Sequence, residues 1–159
     1  MKTASQVSIR DHKREDSAIL LKLFHDTVRN INIQDYSQEQ VEAWAPGKFD
    51  LIRWESRVKN YKIFVAEDTK SIAGFAELDT NGHIDCFYVH HKRQGQGVGR
   101  LLIESVETEA KNRELSRLFA EVSITARPFF EKSGFIVLAE QKVECRGVKL
   151  INFRMEKRF

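Results

Sequence analysis

One glycine-rich segment constrains the fold of this chain more than any other. It separates a strand-like apolar run, Phe87–Val89, from an amphipathic pattern that continues to Val106. Gly95, Gly97 and Gly99 stand at alternate positions, where the missing Cβ lets the backbone pass close to a ligand. The segment therefore predicts a strand, a tight turn and a helix in immediate succession.

The start of this helix is predicted to bind an anion. Apolar positions recur at helical spacing through Val98, Leu101, Leu102, Ser105 and Val106. A helix that begins at the glycines directs unpaired N–H groups and its positive dipole end into the turn, and such ends bind phosphates. Lys92, Arg93 and Arg100 add positive charge around it. We predict a pyrophosphate cradle; the alternative is a glycine-rich connection with a solvated basic rim.

Composition restricts the class of protein. The chain has 159 residues, enough for one domain, which we expect to span residues 1–159. A formal charge of +3 suits a modestly anionic ligand and is no signature of nucleic-acid binding. No apolar run is long enough to span a membrane, and Met1–Arg14 lacks the apolar core of a signal peptide. Cys86 and Cys145 form no paired motif, so we expect reduced thiols and a cytoplasmic location.

The chain reads as an α+β domain. A short strand at Val7–Arg10 is followed by a helix that Asp16 or Ser17 can cap, with Thr27 among its apolar positions, and by a second helix that opens with a capping box at Ser37-Gln38-Glu39-Gln40. Helical patterns continue to Val58, and strand patterns follow on both sides of Asn81-Gly82, a strong hairpin signal. The remaining predicted elements are the strands Lys62–Glu67, Ser71–Leu78, His83–Val89, Leu118–Val122, Phe135–Glu140 and Lys149–Met155, the Gly97–Lys111 helix, and a short helix capped by Thr125 and ended by Gly134. The predicted sheet is antiparallel at first and becomes parallel around the glycine loop, through a right-handed crossover.

Two well-known phosphate loops fit poorly. A Walker loop requires Gly-Lys-Ser/Thr, which Gly99-Arg100-Leu101 does not supply. A dinucleotide fingerprint would use Gly95 and Gly97, but Arg100 stands where the third glycine belongs. Glu121 lies about where a ribose-binding acid is expected, so a nicotinamide dinucleotide-binding protein is kept as a weaker alternative.

A third loop type fits well. The run Gln94–Gly99 matches Gln/Arg-x-x-Gly-x-Gly/Ala, and it resembles the acyl-CoA pyrophosphate loop of the GNAT superfamily of N-acetyltransferases. The segment Ala126–Phe135, with its Glu-Lys-x-Gly-Phe ending, is similar to a second pattern of that family. The order of elements agrees over nearly the whole chain. Features similar to a YafP-type bacterial subgroup are Asp35-Tyr36-Ser37, Gln40, Trp44-Ala45-Pro46 and His83-Ile84-Asp85.

The resemblance implies a fold, a cosubstrate and a reaction. The expected fold is a GNAT-type mixed, mostly antiparallel sheet with a splayed parallel strand pair and flanking helices. Acetyl-CoA would bind between the splayed strands, and an amine of a small molecule or peptide would attack the thioester directly, without a metal. A backbone N–H near Phe87 would polarise the thioester carbonyl. The implied cofactor contacts are Phe87, Tyr88, Val89, Gln94, Gly95, Gln96, Gly97, Val98, Gly99, Arg100 and Phe130.

Three side chains are candidates for the general base. A free alkyl ammonium has a pKa of about 10.4, so a carboxylate or imidazole must take its proton. Strand alternation predicts that His83, Asp85, Phe87 and Val89 share one face, which makes Asp85 the first candidate and His83 the second. Glu77 approaches the same region across the hairpin. Each of the three is about as plausible as an ordinary solvated or ion-paired strand residue.

One position departs from the family pattern. The short helix usually carries a tyrosine that protonates the leaving thiolate, and Phe130 stands there instead. This departure leaves open a non-catalytic, acyl-CoA-binding regulatory module as an alternative function. Asp35, Tyr36 and Trp44 fall where this fold usually builds its substrate wall. A homodimer is one option, with a closing strand such as Lys149–Met155 pairing across the interface.

Overall fold

The predicted strands and helices all form; Lys62–Glu67 keeps both of its predicted ends, and other elements are shifted at one or both ends. The computed structural model describes residues 6–159, so the first five residues of the predicted domain lie outside the described residues. The strands are β1 (Ser8–Asp11), β2 (Lys62–Glu67), β3 (Ile72–Leu78), β4 (Ile84–Val89), β5 (Arg117–Ser123), β6 (Ile136–Cys145) and β7 (Val148–Arg158). The helices are α1 (Ser17–Asn30), α2 (Gln38–Trp44), α3 (Leu51–Arg57), α4 (Val98–Asn112) and α5 (Arg127–Lys132).

The strands form two antiparallel sheets that meet at one corner. The first sheet has the order β1-β2-β3-β4 and the second β5-β7-β6. Strands β4 and β5 run parallel, and one bridge between His83 and Phe119 joins them at their start. The α+β class and the splayed parallel pair are confirmed, but the splay divides the expected single sheet into two. Beyond the bridge the two strands diverge and leave a cleft.

A β-bulge interrupts the pairing of β3 with β4. Ala76 pairs with Phe87 and Leu78 with Ile84, so Glu77 alone faces both Asp85 and Cys86. A bulge of this kind ends strict alternation. Ile84 and Phe87 therefore both pack in the core beneath α4, and the predicted common face for His83, Asp85, Phe87 and Val89 is wrong.

Helix ends follow local signals with two exceptions. Ser37 and Gln40 form the predicted capping box at the start of α2. Asp16 precedes α1, but its carboxylate binds Arg10 instead of capping the helix. Thr125 is not a cap either. The N-cap residue of α5 is Ala126, and its N–H donates to Ser123 Oγ. The helices in residues 6–159 lack the combined length and apolar character that a membrane crossing needs.

The last hairpin closes the second sheet. Its turn places Arg146 and Gly147 at positive φ angles of 47° and 80°. Strand β7 lies between β6 and β5, and it pairs with β5 from Asn152 to Arg158. On that same side, the carbonyls of Lys149 and Ile151 accept hydrogen bonds from Gln40 Nε2 and the Tyr36 hydroxyl. The edges that Lys149–Met155 would offer to a second copy are thus largely engaged within the described chain. The edge strands of this sheet are β6 and β5, and β5 borders the cleft.

Candidate active site

A cleft lies between the diverging ends of β4 and β5. It has a volume of about 320 Å³ and extends from the glycine loop to the end of α2 and the first turn of α5. All of the predicted cofactor contacts except Gln96 line its walls. Trp44 and Asp85 also line it, whereas the other predicted catalytic and substrate-binding residues do not.

The glycine loop leaves the start of α4 open to the cleft. Gly97 is the N-cap residue with φ of 84°, and no side chain in residues 6–159 caps the helix. Gly95 also has a positive φ, of 70°. A Cβ at either glycine would have no atom of the described chain within 4 Å, so backbone conformation and not packing requires glycine here. The N–H groups of the first turn and the open space fit a pyrophosphate.

Two arginines supply positive charge at this end of the cleft. Arg93 donates to Asp68 at 2.8 Å and to Gln96 Oε1 at 3.0 Å, so the guanidinium is held in place. Gln96 thus orients a cation although it does not line the cleft itself. Arg100 is highly exposed and pairs with Glu104 one turn along α4, at 3.0 Å.

The open end of β4 is held by side chains. The Val89 carbonyl accepts hydrogen bonds from Thr27 Oγ1 at 3.0 Å and from Gln94 Nε2 at 2.8 Å. These donors replace a neighbouring strand and keep this carbonyl away from β5. Sequence periodicity placed Thr27 among the apolar positions of α1. A hydroxyl among apolar side chains was the one sign in the sequence that Thr27 also forms a hydrogen bond.

The three candidate bases differ in accessibility. Glu77 is fully buried, and Arg57 binds both of its oxygens, NH1 to Oε1 at 3.0 Å and NH2 to Oε2 at 2.9 Å. Burial raises the pKa of Glu77, and the charge and hydrogen bonds of Arg57 oppose the shift. Asp85 reaches the cleft wall and pairs with Arg57 NH1. Sequence reasoning missed Arg57, because nothing local links α3 to the β3–β4 bulge.

The ligand atoms of Glu77, Asp85 and Cys86 lie within 4.8 Å of one another, a grouping that resembles a metal site. The Arg57 guanidinium bridges both carboxylates. The Cys86 thiol hydrogen-bonds to Glu77, and burial raises its pKa well above the usual range. Metals bind the thiolate, so a thiol held protonated is a poor ligand. The donor set therefore suits an arginine better than a metal ion.

His83 belongs to a separate pair at the closed end of the strands. Its Nε2 lies 2.5 Å from Glu121 Oε2, and its ring packs on Phe119 with centroids 5.1 Å apart. Glu121 lines the cleft and His83 does not. The sequence singled out Glu121 only as a ribose-binding acid; the structure assigns it a histidine partner.

The predicted substrate wall is divided. Trp44 lines the cleft, whereas Asp35 is exposed outside it. Tyr36 is buried, and its hydroxyl donates to the Ile151 carbonyl at 2.6 Å and accepts from the Ile124 N–H at 2.9 Å. Tyr36 thus ties the first helices to the ends of β5 and β7.

Phe130 leaves this part of the cleft wall without a phenol. Its ring is 3% exposed and packs edge-on against Phe87 and Phe135. Thr125, on the same wall, carries a buried hydroxyl oxygen that has no hydrogen-bond partner within residues 6–159. A buried polar atom left unpaired is costly, so a ligand is a natural partner for it.

The family model and the relatives that this chain matches are all acetyltransferases. Residues 32–157 match the family model described as an acetyltransferase (GNAT) domain. The N-acetyltransferase YafP of Escherichia coli strain K12 is 32% identical over 152 residues, which cover 95% of each chain.

Solved structures agree. A GCN5-related N-acetyltransferase from Rhodopseudomonas palustris superposes with a TM-score of 0.92 at 31% identity, covering 100% of this chain and 99% of that one. YncA from Salmonella typhimurium, solved with its cofactor acetyl-CoA, shares the fold at 21% identity, with a TM-score of 0.70 and coverage of 97% and 94%.

Proposed function

This chain belongs to the GNAT acetyltransferase family, and we propose that it transfers the acetyl group of acetyl-CoA to a primary amine of a small molecule or peptide. The proposal rests above all on one observation. The uncapped start of α4 and its glycine loop open into the cleft between two splayed parallel strands. The acetyl-CoA in the YncA structure, on the same fold, supports this choice of cosubstrate.

The residues of the cleft fit such a cosubstrate in two parts. The amides of Gln94–Gly99 hold the pyrophosphate, with Arg93 and Arg100 compensating its charge. Phe87–Val89 line the path of the pantetheine arm. The Val89 carbonyl is already engaged by two side chains, so the arm pairs with other backbone groups of this strand. Acetyl-CoA supplies the activated acyl group, and no metal takes part in the proposal.

The acceptor amine attacks the thioester directly after losing a proton. Asp85 is our base because, of the three candidate side chains, it alone reaches the cleft wall. The pair of His83 and Glu121 is the second choice, acting through Glu121 or through water. The buried Glu77 touches no ligand in this proposal, since its side chain has almost no exposed surface.

The leaving thiolate requires little help. A thiol has a pKa of about 8.5, so the thiolate departs without a strong acid. The hydroxyl of Thr125, unpaired within the described part of the chain, donates a hydrogen bond on this side of the cleft, where the phenyl ring of Phe130 cannot.

The test is release of the CoA thiol across a panel of amines. We expect acetyl-CoA to bind and thiol release to rise above the amine-free rate for at least one primary amine. Tight CoA binding without such release across the panel would overturn the proposal and leave the acyl-CoA-binding module. Binding of a nicotinamide dinucleotide in place of CoA would instead revive that alternative.

The free thiols of Cys86 and Cys145 suit a reducing compartment, and we place the protein in the cytoplasm, with neither a nucleic acid nor a membrane as partner. A homodimer would have to form by something other than edge pairing through β7, because that strand is central in its sheet.

A further inference from the structure

We propose that Arg57 is a positioning residue that holds the Asp85 carboxylate at the cleft wall, with the buried Glu77 as its anchor. The catalytic consequence of this inference rests on the proposed function, whereas the positioning itself does not.

Glu77 provides a fixed point. A carboxylate so deeply buried must be compensated by a partner of opposite charge, and Arg57 supplies it through two parallel hydrogen bonds of 3.0 and 2.9 Å. Both oxygens are therefore engaged. Glu77 therefore serves to hold Arg57, and its position in a buried strand restricts its movement.

Arg57 is oriented from a second direction. Its guanidinium carbon lies 4.2 Å from the centroid of the Trp54 ring, on the same short helix α3. The fork onto Glu77 fixes the plane of the guanidinium, and the indole face limits its tilt. With both constraints in place, the remaining hydrogen of NH1 points in one direction, toward Asp85.

The β-bulge places Asp85 where this N–H of Arg57 can reach it. Because Asp85 and Cys86 together face Glu77, the backbone sets two carboxylates side by side. Like charges at this separation repel each other. The Arg57 fork is what lets them remain adjacent, and it binds Asp85 through Oδ2. The other carboxylate oxygen is left for the cleft.

The test compares two arginines with matched partners. Arg10 also forms a fork onto a buried carboxylate, Asp16, at 2.8 and 3.0 Å, but it lies outside the cleft. We expect R57Q and R10Q both to lose some stability. R57Q alone should lower kcat by roughly 10- to 100-fold with CoA affinity within about twofold of wild type, as for other residues that orient reacting groups.

A double-mutant cycle separates positioning from an independent role. If Arg57 acts through Asp85, R57Q should cost almost nothing more in a D85N background. Multiplicative losses in the double variant would overturn the inference. So would an R57Q enzyme whose kcat falls no further than that of R10Q.

A structural measurement tests the positioning without any turnover. Crystal structures of wild type and R57Q should show Asp85 in different rotamers, with the carboxylate turned away from Glu77 in the variant. An unchanged Asp85 rotamer would refute the inference. If wild type acetylates no amine in the panel, the proposed function fails, and this structural comparison still decides whether Arg57 positions Asp85.

Discussion

Replacing Gly97 by glutamate should remove CoA binding while leaving the fold intact. Gly97 has φ of 84°, and a Cβ there meets no atom of the described chain within 4 Å. The substitution therefore costs only the left-handed backbone conformation, about 1–2 kcal/mol. For a chain of this size that lowers Tm by about 2–8 °C.

The effect on the ligand should be far larger. A glutamate at the N-cap brings a negative charge next to the anion site. Repulsion between unit charges about 4 Å apart is worth roughly 1–4 kcal/mol at the dielectric constants of water and of a protein surface. The glutamate would repel both charges of the pyrophosphate, and the two repulsions add. We therefore expect CoA affinity to fall about 100-fold or more, which corresponds to about 2.7 kcal/mol.

Gly147 gives a matched control. It too has a positive φ, of 80°, and open space where a Cβ would stand, but it lies in the β6–β7 turn. G147E should show a similar loss in Tm and unchanged CoA affinity, whereas G97A should share the strain without the charge. Isothermal titration calorimetry gives the affinities and thermal unfolding the stabilities. Equal CoA affinity in G97E and G147E would refute the loop assignment.

Three further substitutions test the acids and the orphan hydroxyl. Asp85→Asn should lower kcat at least tenfold with little change in CoA affinity, which steady-state kinetics and calorimetry can separate. Burial holds the folded-state pKa of Glu77 above its ordinary value of 4.5, so its stabilising contribution is present at low pH and is lost as pH rises from 4.5 through the folded pKa. Urea unfolding of Glu77→Gln between pH 4 and 7 should therefore show a shallower decline than wild type; an unchanged slope contradicts this. Thr125→Val should stabilise the free protein by about 1 kcal/mol in urea unfolding, because it removes a buried hydroxyl left unpaired in residues 6–159, yet slow thiol release; faster release would contradict a role in catalysis.

Sequence patterns predicted what depends on neighbouring residues. The capping box at Ser37 and Gln40, the Asn81-Gly82 hairpin and the glycine loop each join a conformation to a few adjacent side chains, and each forms as expected. The resemblance to a family added the splayed strand pair. These local signals were enough to predict the element order and the open, glycine-rich end of the cleft.

The acid end of the cleft depends on contacts across the fold. The bulge opposite Glu77 arises from the pairing register of two strands, and no residue in either strand marks it. Arg57 lies 20 residues before Glu77 and 28 before Asp85, on another element. Periodicity alone therefore put Asp85 on a common face with Phe87 and Val89, which the bulge rules out. Asp85 does lie at the cleft wall, and its role as the base stays a prediction.

The cost of the Glu77–Arg57 pair argues for a functional reason to keep it. Taking a carboxylate and a guanidinium out of water is expensive, and well-packed apolar residues often replace a buried ion pair without loss of stability. The neighbouring positions on β3 are apolar and buried, so the strand does not need a charge to pack. An ion pair at this point gains nothing for the core that a leucine would not supply. Its distinctive consequence is the third contact, from the guanidinium to Asp85, which connects a buried strand residue to the cleft wall. The position of Asp85 is thus the property that this pair explains and that apolar packing would not.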